Sequence, residues 1–218
     1  MVFLLVVLSV VLFITIDYLI QRRRKRATVE QAEPENLYIS KTMPGILNGV
    51  FLQPGFTWSK ILDNGNLLLG IQPMLLGLVG NPDEIETVPE GQKIGKGGSL
   101  LKVRKGSKLL DLKSPVHGSI VAINPEFQEI SGWDKLSQNW IYAIKPEKVS
   151  SEIPGWIIAD KTKNWINTRY EEVKSFFMKN LPRTELGSTM ADGGDLPIGI
   201  MSKFDEKFWK EFEHSFLN

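Results

Sequence analysis

Residues 99–124 read SLLKVRKGSKLLDLKSPVHGSIVAIN. Two short apolar runs, Ser99–Val103 and Leu109–Leu112, flank Gly106 and Ser107. That pair suits a tight hairpin turn, because glycine accepts the positive φ such turns need. A third run, Ser119–Ile123, alternates apolar and polar residues. It begins after Ser114-Pro115-Val116-His117-Gly118, where proline presets a turn and glycine permits a sharp bend. Three strands in one stretch, joined by turns of this kind, predict a mainly β domain.

The same texture continues outward. Upstream, Val88-Pro-Glu-Gly91-Gln-Lys-Ile94-Gly-Lys-Gly97-Gly98 spaces glycines around a single apolar residue, as successive tight turns require. Leu67–Ile71 is a strand, and Gln72–Gly80 is a short helix with Pro73 fitting its first turn. Downstream, Trp140–Ile144 alternates and Lys145-Pro146 ends it. These signals run over residues 47–150.

Past Pro154 the strand texture gives way to a helical extension, residues 151–218. Ile166, Tyr170, Val173, Phe177 and Leu181 fall on one face of a helix capped by Asn164 and stopped by Pro182. A loop follows to Ser202. Lys203–Leu217 then places Phe204, Phe208, Trp209, Phe212 and Phe216 as an aromatic stripe, expected to dock on the chain's own sheet.

At the other end, Val2–Ile20 reads VFLLVVLSVVLFITIDYLI. At ~1.5 Å per residue this run just spans a hydrocarbon core of ~30 Å. Residues 1–21 therefore read as a transmembrane anchor and 22–46 as a basic stop and polar linker. No positive charge precedes the apolar run, and it is too long for a signal-peptide core, so it reads as retained. Arg22, Arg23, Arg24, Lys25 and Arg26 follow it directly, which puts the N-terminus outside and the C-terminal body in the cytoplasm.

The 218 residues sum to a formal charge of +1. Residues 1–26 hold five basic side chains against Asp17, a net of +4, so the rest carries −3. Nothing in that balance points to nucleic acid. The absence of cysteine excludes disulfides, thiolate metal sites and Cys nucleophiles, and two histidines leave little for His-based metal binding. His117 reads as structural in its turn and His214 as a surface residue. Asp192-Gly-Gly-Asp195 reads as a turn, because no further ligands follow at calcium-loop spacing. Gly95-Lys-Gly-Gly98 lacks the Gly-Lys-Ser/Thr of a phosphate loop, and no G-x-S-x-G elbow is present. The sequence offers no catalytic machinery and no metal site, and the expectation is that the protein is not an enzyme.

Five segments in order carry a resemblance. They are Gly55-Phe-Thr-Trp58, Leu68-Leu-Gly-Ile-Gln-Pro73, Pro89-Glu-Gly91-x-x-Ile94-x-x-Gly97, Ser114-Pro-Val-His-Gly118-Ser-Ile-Val-Ala-Ile-Asn124 and Trp140-Ile-Tyr-Ala-Ile-Lys-Pro146. Together they resemble the H-protein of the glycine cleavage system, in the lipoyl/biotinyl carrier superfamily, over roughly Phe51–Lys148. The resemblance implies a flattened sandwich of two small antiparallel sheets. It also implies a lysine at a hairpin tip that carries lipoate through an amide bond. Carrier domains of efflux adaptors share this fold but are split by a helical hairpin, and no such insertion lies between Val103 and Leu109.

In the family the carrier lysine stands seven residues before the Ser of the S-P-V motif. Here that residue is Ser107, and the family's acidic residue two before it is Lys105. A hydroxyl cannot form the amide. The expectation is a membrane-anchored, H-protein-like interaction or assembly component without a cofactor. Its tip, Lys105-Gly106-Ser107-Lys108, would dock a protein partner. The alternative is a genuine lipoyl carrier modified at Lys108 or Lys105.

Overall fold

A computed structural model describes residues 39, 49–129, 139–158, 160–181 and 194–217. The anchor expected at 2–20 and the basic run at 22–26 lie outside the described residues. Among the described residues no helix is long and apolar enough to cross a membrane.

The strands are β1 (Val50–Leu52), β2 (Thr57–Ile61), β3 (Leu67–Ile71), β4 (Glu84–Thr87), β5 (Lys93–Ile94), β6 (Ser99–Lys105), β7 (Lys108–Lys113), β8 (Gly118–Ile123) and β9 (Tyr142–Pro146). They form two antiparallel sheets, one in the order β1-β2-β3-β9-β8-β5 and the other β4-β6-β7. The chain is thus mainly β with two antiparallel sheets. Alternation explains the layering, since every second side chain of a strand faces the same side. Leu67, Leu69 and Ile71 of β3, Ile120 of β8 and Tyr142 and Ile144 of β9 are buried in the same core as Leu101, Val103, Leu110 and Leu112 of the small sheet.

Tyr142 ties the two layers together. Its hydroxyl donates to the Leu100 carbonyl at 2.8 Å and accepts the Val88 N–H at 2.9 Å, both on the small-sheet side. Burial of that phenol pushes its pKa up to about 12.

The helices are α1 (Pro73–Val79), α2 (Pro125–Glu129), α3 (Val149–Glu152), α4 (Asp160–Asn180) and α5 (Glu206–Phe216). The aromatic stripe of α5 turns onto the chain itself. Phe208 lies 5.0 Å from Phe177 and 5.1 Å from Phe176 of α4, and Phe212 lies 6.2 Å from Phe56. Phe56, just before β2, holds φ at +59°, a conformation that side chains rarely adopt. Its fully buried ring fills the space beside α5.

Several boundaries differ from the sequence reading. The strand expected at Trp140–Ile144 lies at Tyr142–Pro146. Its ladder with β8 continues to Pro146 after its ladder with β3 has ended at Ile144, leaving an edge where proline is tolerated. Asn164 is not an N-cap, because α4 already starts at Asp160. The buried Thr162 extends the inward face by one turn in a way that apolar spacing does not register. The second C-terminal helix starts at Glu206, later than Lys203. Asp205 caps it by accepting the Phe208 N–H at 2.9 Å, and Ile200–Lys203 forms a separate 3₁₀ turn. Four strands had no clear sequence signal: β1 and β5 are too short, and β2 and β4 are too polar.

Gly118 is needed for a different reason than a bend. A Cβ there would lie 2.5 Å from the Lys145 carbonyl oxygen, so β8 and β9 approach closely only without a side chain.

Candidate functional site: the β6–β7 hairpin tip

The hairpin ladder runs to the pair Lys105–Lys108, which leaves Gly106 and Ser107 as a two-residue turn. Gly106 has φ of +60° and Ser107 does not have a positive φ, the pattern of a type II′ turn with glycine first. Ser107 is exposed at the extremity. The structure therefore brings together all four residues singled out in the sequence, with Ser107 at the tip and a lysine on each side.

Neither lysine extends freely into solvent. Lys105 Nζ donates to the carbonyl of Asn81, just past the end of α1, at 2.5 Å. Lys108 Nζ donates to the Ser202 carbonyl at 2.7 Å and lies 6.0 Å from the centre of the Trp209 ring. The turn itself is pinned by the Gly106 N–H, which donates to Asp83 Oδ2 at 2.6 Å.

The partners of the tip come from far along the chain, and spacing gives no hint of them. The segment from Leu196 to Lys203 passes beside the hairpin as a strap. Gly199 N donates to the Gly77 carbonyl of α1 at 2.7 Å, and the backbones at Gly80 and Gly199 touch. Further along, Glu213 of α5 accepts the Asp111 N–H of edge strand β7 at 3.0 Å. The C-terminal extension thus covers one edge of the small sheet and holds one lysine of its tip.

The outward face of the small sheet is a ladder of paired charges. Arg104 bonds Glu86 at 2.8 Å and Glu84 at 3.1 Å, and Lys113 meets Asp111 at 2.6 Å. The exposed pairs of Arg104 contribute little stability individually.

The remaining candidates are scattered. His117 is exposed, with Nδ1 3.5 Å from Glu152 Oε1. Lys96 bonds the same carboxylate and, with His117, holds its pKa below the usual carboxylate range. His214 is exposed on α5. Asp195 accepts a hydrogen bond from the Tyr170 hydroxyl at 3.1 Å, while Asp192 lies outside the described residues. Among the described residues no group of three His, Cys, Asp or Glu is placed to hold a metal ion.

Sequence comparison with known proteins points in one direction. The family model described as Glycine cleavage H-protein matches residues 53–174, more than half of the chain. A probable glycine cleavage system H protein of Pyrococcus horikoshii is 23% identical over 127 residues, covering 56% of this chain and 93% of the relative. The glycine cleavage system H protein of Aeromonas salmonicida is 26% identical over 113 residues, covering 50% and 87%. The crystal structure of a glycine cleavage system H protein from Mycobacterium marinum superposes with a TM-score of 0.40 at 18% identity, covering 47% of this chain and 87% of that one.

Proposed function

The chain belongs to the glycine cleavage H-protein family, and on that premise we propose that it is a non-catalytic, H-protein-like component that docks a protein partner through its hairpin tip instead of carrying a prosthetic arm. The observation that carries this reading is the tip itself. Ser107 stands exposed at the turn, and the two neighbouring ammonium groups are tied to main-chain carbonyls. A lipoyl arm attached by an amide needs an accessible amine at the tip. The Ser107 hydroxyl supplies none. Acylating Lys105 or Lys108 would remove the positive charge and two of the three donors of an ammonium now bonded to the fold. The residues present do not fit that group.

In the same reading residues 2–20 anchor the protein in a membrane. The N-terminus lies outside, and Arg22–Arg26 keep the body on the cytoplasmic side. The docked partner is then a protein that reaches that membrane face.

Intact-mass measurement of the protein from its native host tests the central claim. The expected result is a tip peptide without added mass. A lipoyl or biotinyl adduct on Lys105 or Lys108 overturns the proposal. It would establish the alternative, a lipoyl carrier of a glycine cleavage-type system modified at one of those lysines, which family membership itself favours.

A further inference from the structure

The two strands of the hairpin carry five cations, Lys102, Arg104, Lys105, Lys108 and Lys113. Three of them face carboxylates of the chain: Lys102 lies 3.8 Å from Glu86, Arg104 pairs with Glu84 and Glu86, and Lys113 pairs with Asp111. The two at the tip do not. Among the described residues no carboxylate lies within 4 Å of either ammonium, and each rests on a neutral carbonyl. Asp83, the acid bonded at the turn, gives an oxygen to the Gly106 N–H. A lysine ammonium has three donors, so each retains hydrogen-bonding capacity after its one carbonyl contact. Fixing the ammonium groups in place removes much of the entropic cost of engaging an anion.

Beside these charges lies an apolar residue. Ile198, in the strap, is 51% exposed, the most exposed large apolar side chain among the described residues. Its neighbour Gly199 touches Gly80. A Cβ on Gly80 would lie 2.9 Å from the Gly199 Cα and 3.8 Å from Lys105 Nζ, so strap and ammonium converge on one spot. The strap thus meets the tip at both ammonium groups, and the two segments between them carry two fixed cations, an exposed hydroxyl and an exposed apolar side chain.

We infer that this composite surface recognises an acidic peptide segment with an apolar side chain among its carboxylates. The carboxylates engage Lys105 and Lys108, and the apolar residue covers Ile198. The inference rests on the non-carrier reading above and names the chemistry of its partner. It also gives the C-terminal extension a role in recognition, since Ile198 and the carbonyl that positions Lys108 both belong to it.

The test uses the full chain in detergent and a labelled Glu-Glu-Leu-Glu-Glu peptide, read by fluorescence anisotropy. Saturable binding is expected. It weakens as salt shortens the screening length from ~10 Å at 0.1 M toward ~3 Å at 1 M. Lys105→Glu with Lys108→Glu weakens it by about tenfold or more, and Ile198→Ser by about fivefold. Lys105→Arg with Lys108→Arg retains it, which separates charge from mere support of the fold. A Glu-Glu-Ser-Glu-Glu peptide loses the effect of Ile198→Ser. Absence of binding, or binding indifferent to both sets of variants, overturns the inference. Preferential binding of phosphatidylserine-containing vesicles over the peptide, lost in the same charge-reversal variant, overturns it in favour of a lipid surface. The two proposals fail separately: an adduct on a tip lysine sinks the non-carrier reading. An unmodified protein that ignores the peptide sinks only the acidic-segment assignment.

Discussion

Tyr142 and Gly118 show how much of the sandwich rests on single residues. The Tyr142 hydroxyl is buried between the sheets with one donor and one acceptor partner. Its proton is therefore held in the folded state up to about pH 12, against an ordinary value of 10.0. Between those values the unfolded chain has released a proton that the folded chain keeps, so folding stability falls as pH rises. Below pH 10 the contribution is complete. The loss amounts to up to about 1.4 kcal/mol per pH unit. Urea unfolding between pH 9 and 12 will show this slope; burial pushes Tyr170 up to about 12 as well, so Tyr142→Phe will reduce the slope without abolishing it. That substitution also costs about 1–3 kcal/mol at neutral pH by stranding the Leu100 carbonyl and the Val88 N–H. Gly118→Ala pushes a methyl into the Lys145 carbonyl and the Ile144 side chain, and is expected to cost about 1–3 kcal/mol in the same assay. The need for glycine at 118 was legible from the turn motif. Its cause, a close approach of β8 and β9, appears only when the two strands are paired.

At the level of elements, the C-terminal extension holds the hairpin in place. The aromatic stripe of α5 was readable from its spacing, because four phenylalanines and a tryptophan recur at helical period. That it closes over Phe56, Phe176 and Phe177 was not, since the partners lie on other elements. Phe212 is fully buried there. Phe212→Ala should cost about 3–5 kcal/mol. Hydrogen exchange will report the loss at β7 as well as in α5, since α5 carries Glu213, which accepts the Asp111 N–H, and Trp209, which donates to the Met201 carbonyl of the strap. A loss of protection confined to α5 would mean that the hairpin is independent of the extension. The N-terminus of the same helix illustrates a boundary that apolar pattern misplaces: Phe204 continues the stripe, but Asp205 begins the helix through its cap.

For the molecule as a whole, the proposed anchor makes a direct prediction. The full chain should resist extraction of membranes by alkaline carbonate, and a chain lacking residues 2–20 should be released into the supernatant. Release of the full chain would remove the membrane tether from the proposal while leaving the hairpin tip as it stands. The β texture of the central region, its hairpin, the helical extension and the family are all legible in the sequence, because they are written in local periodicity, turn residues and ordered motifs. In the proposed reading, Ser107 stands where the family's attachment lysine is expected. What surrounds that serine emerges only when the chain is folded. The Asn81 carbonyl lies 24 residues from Lys105 and the Ser202 carbonyl 94 residues from Lys108. Main-chain carbonyls carry no sequence signature at all. Chain folding alone converts two turn lysines into fixed charges beside Ile198, because a contact between distant segments depends on how the sheets and helices pack and not on any local pattern.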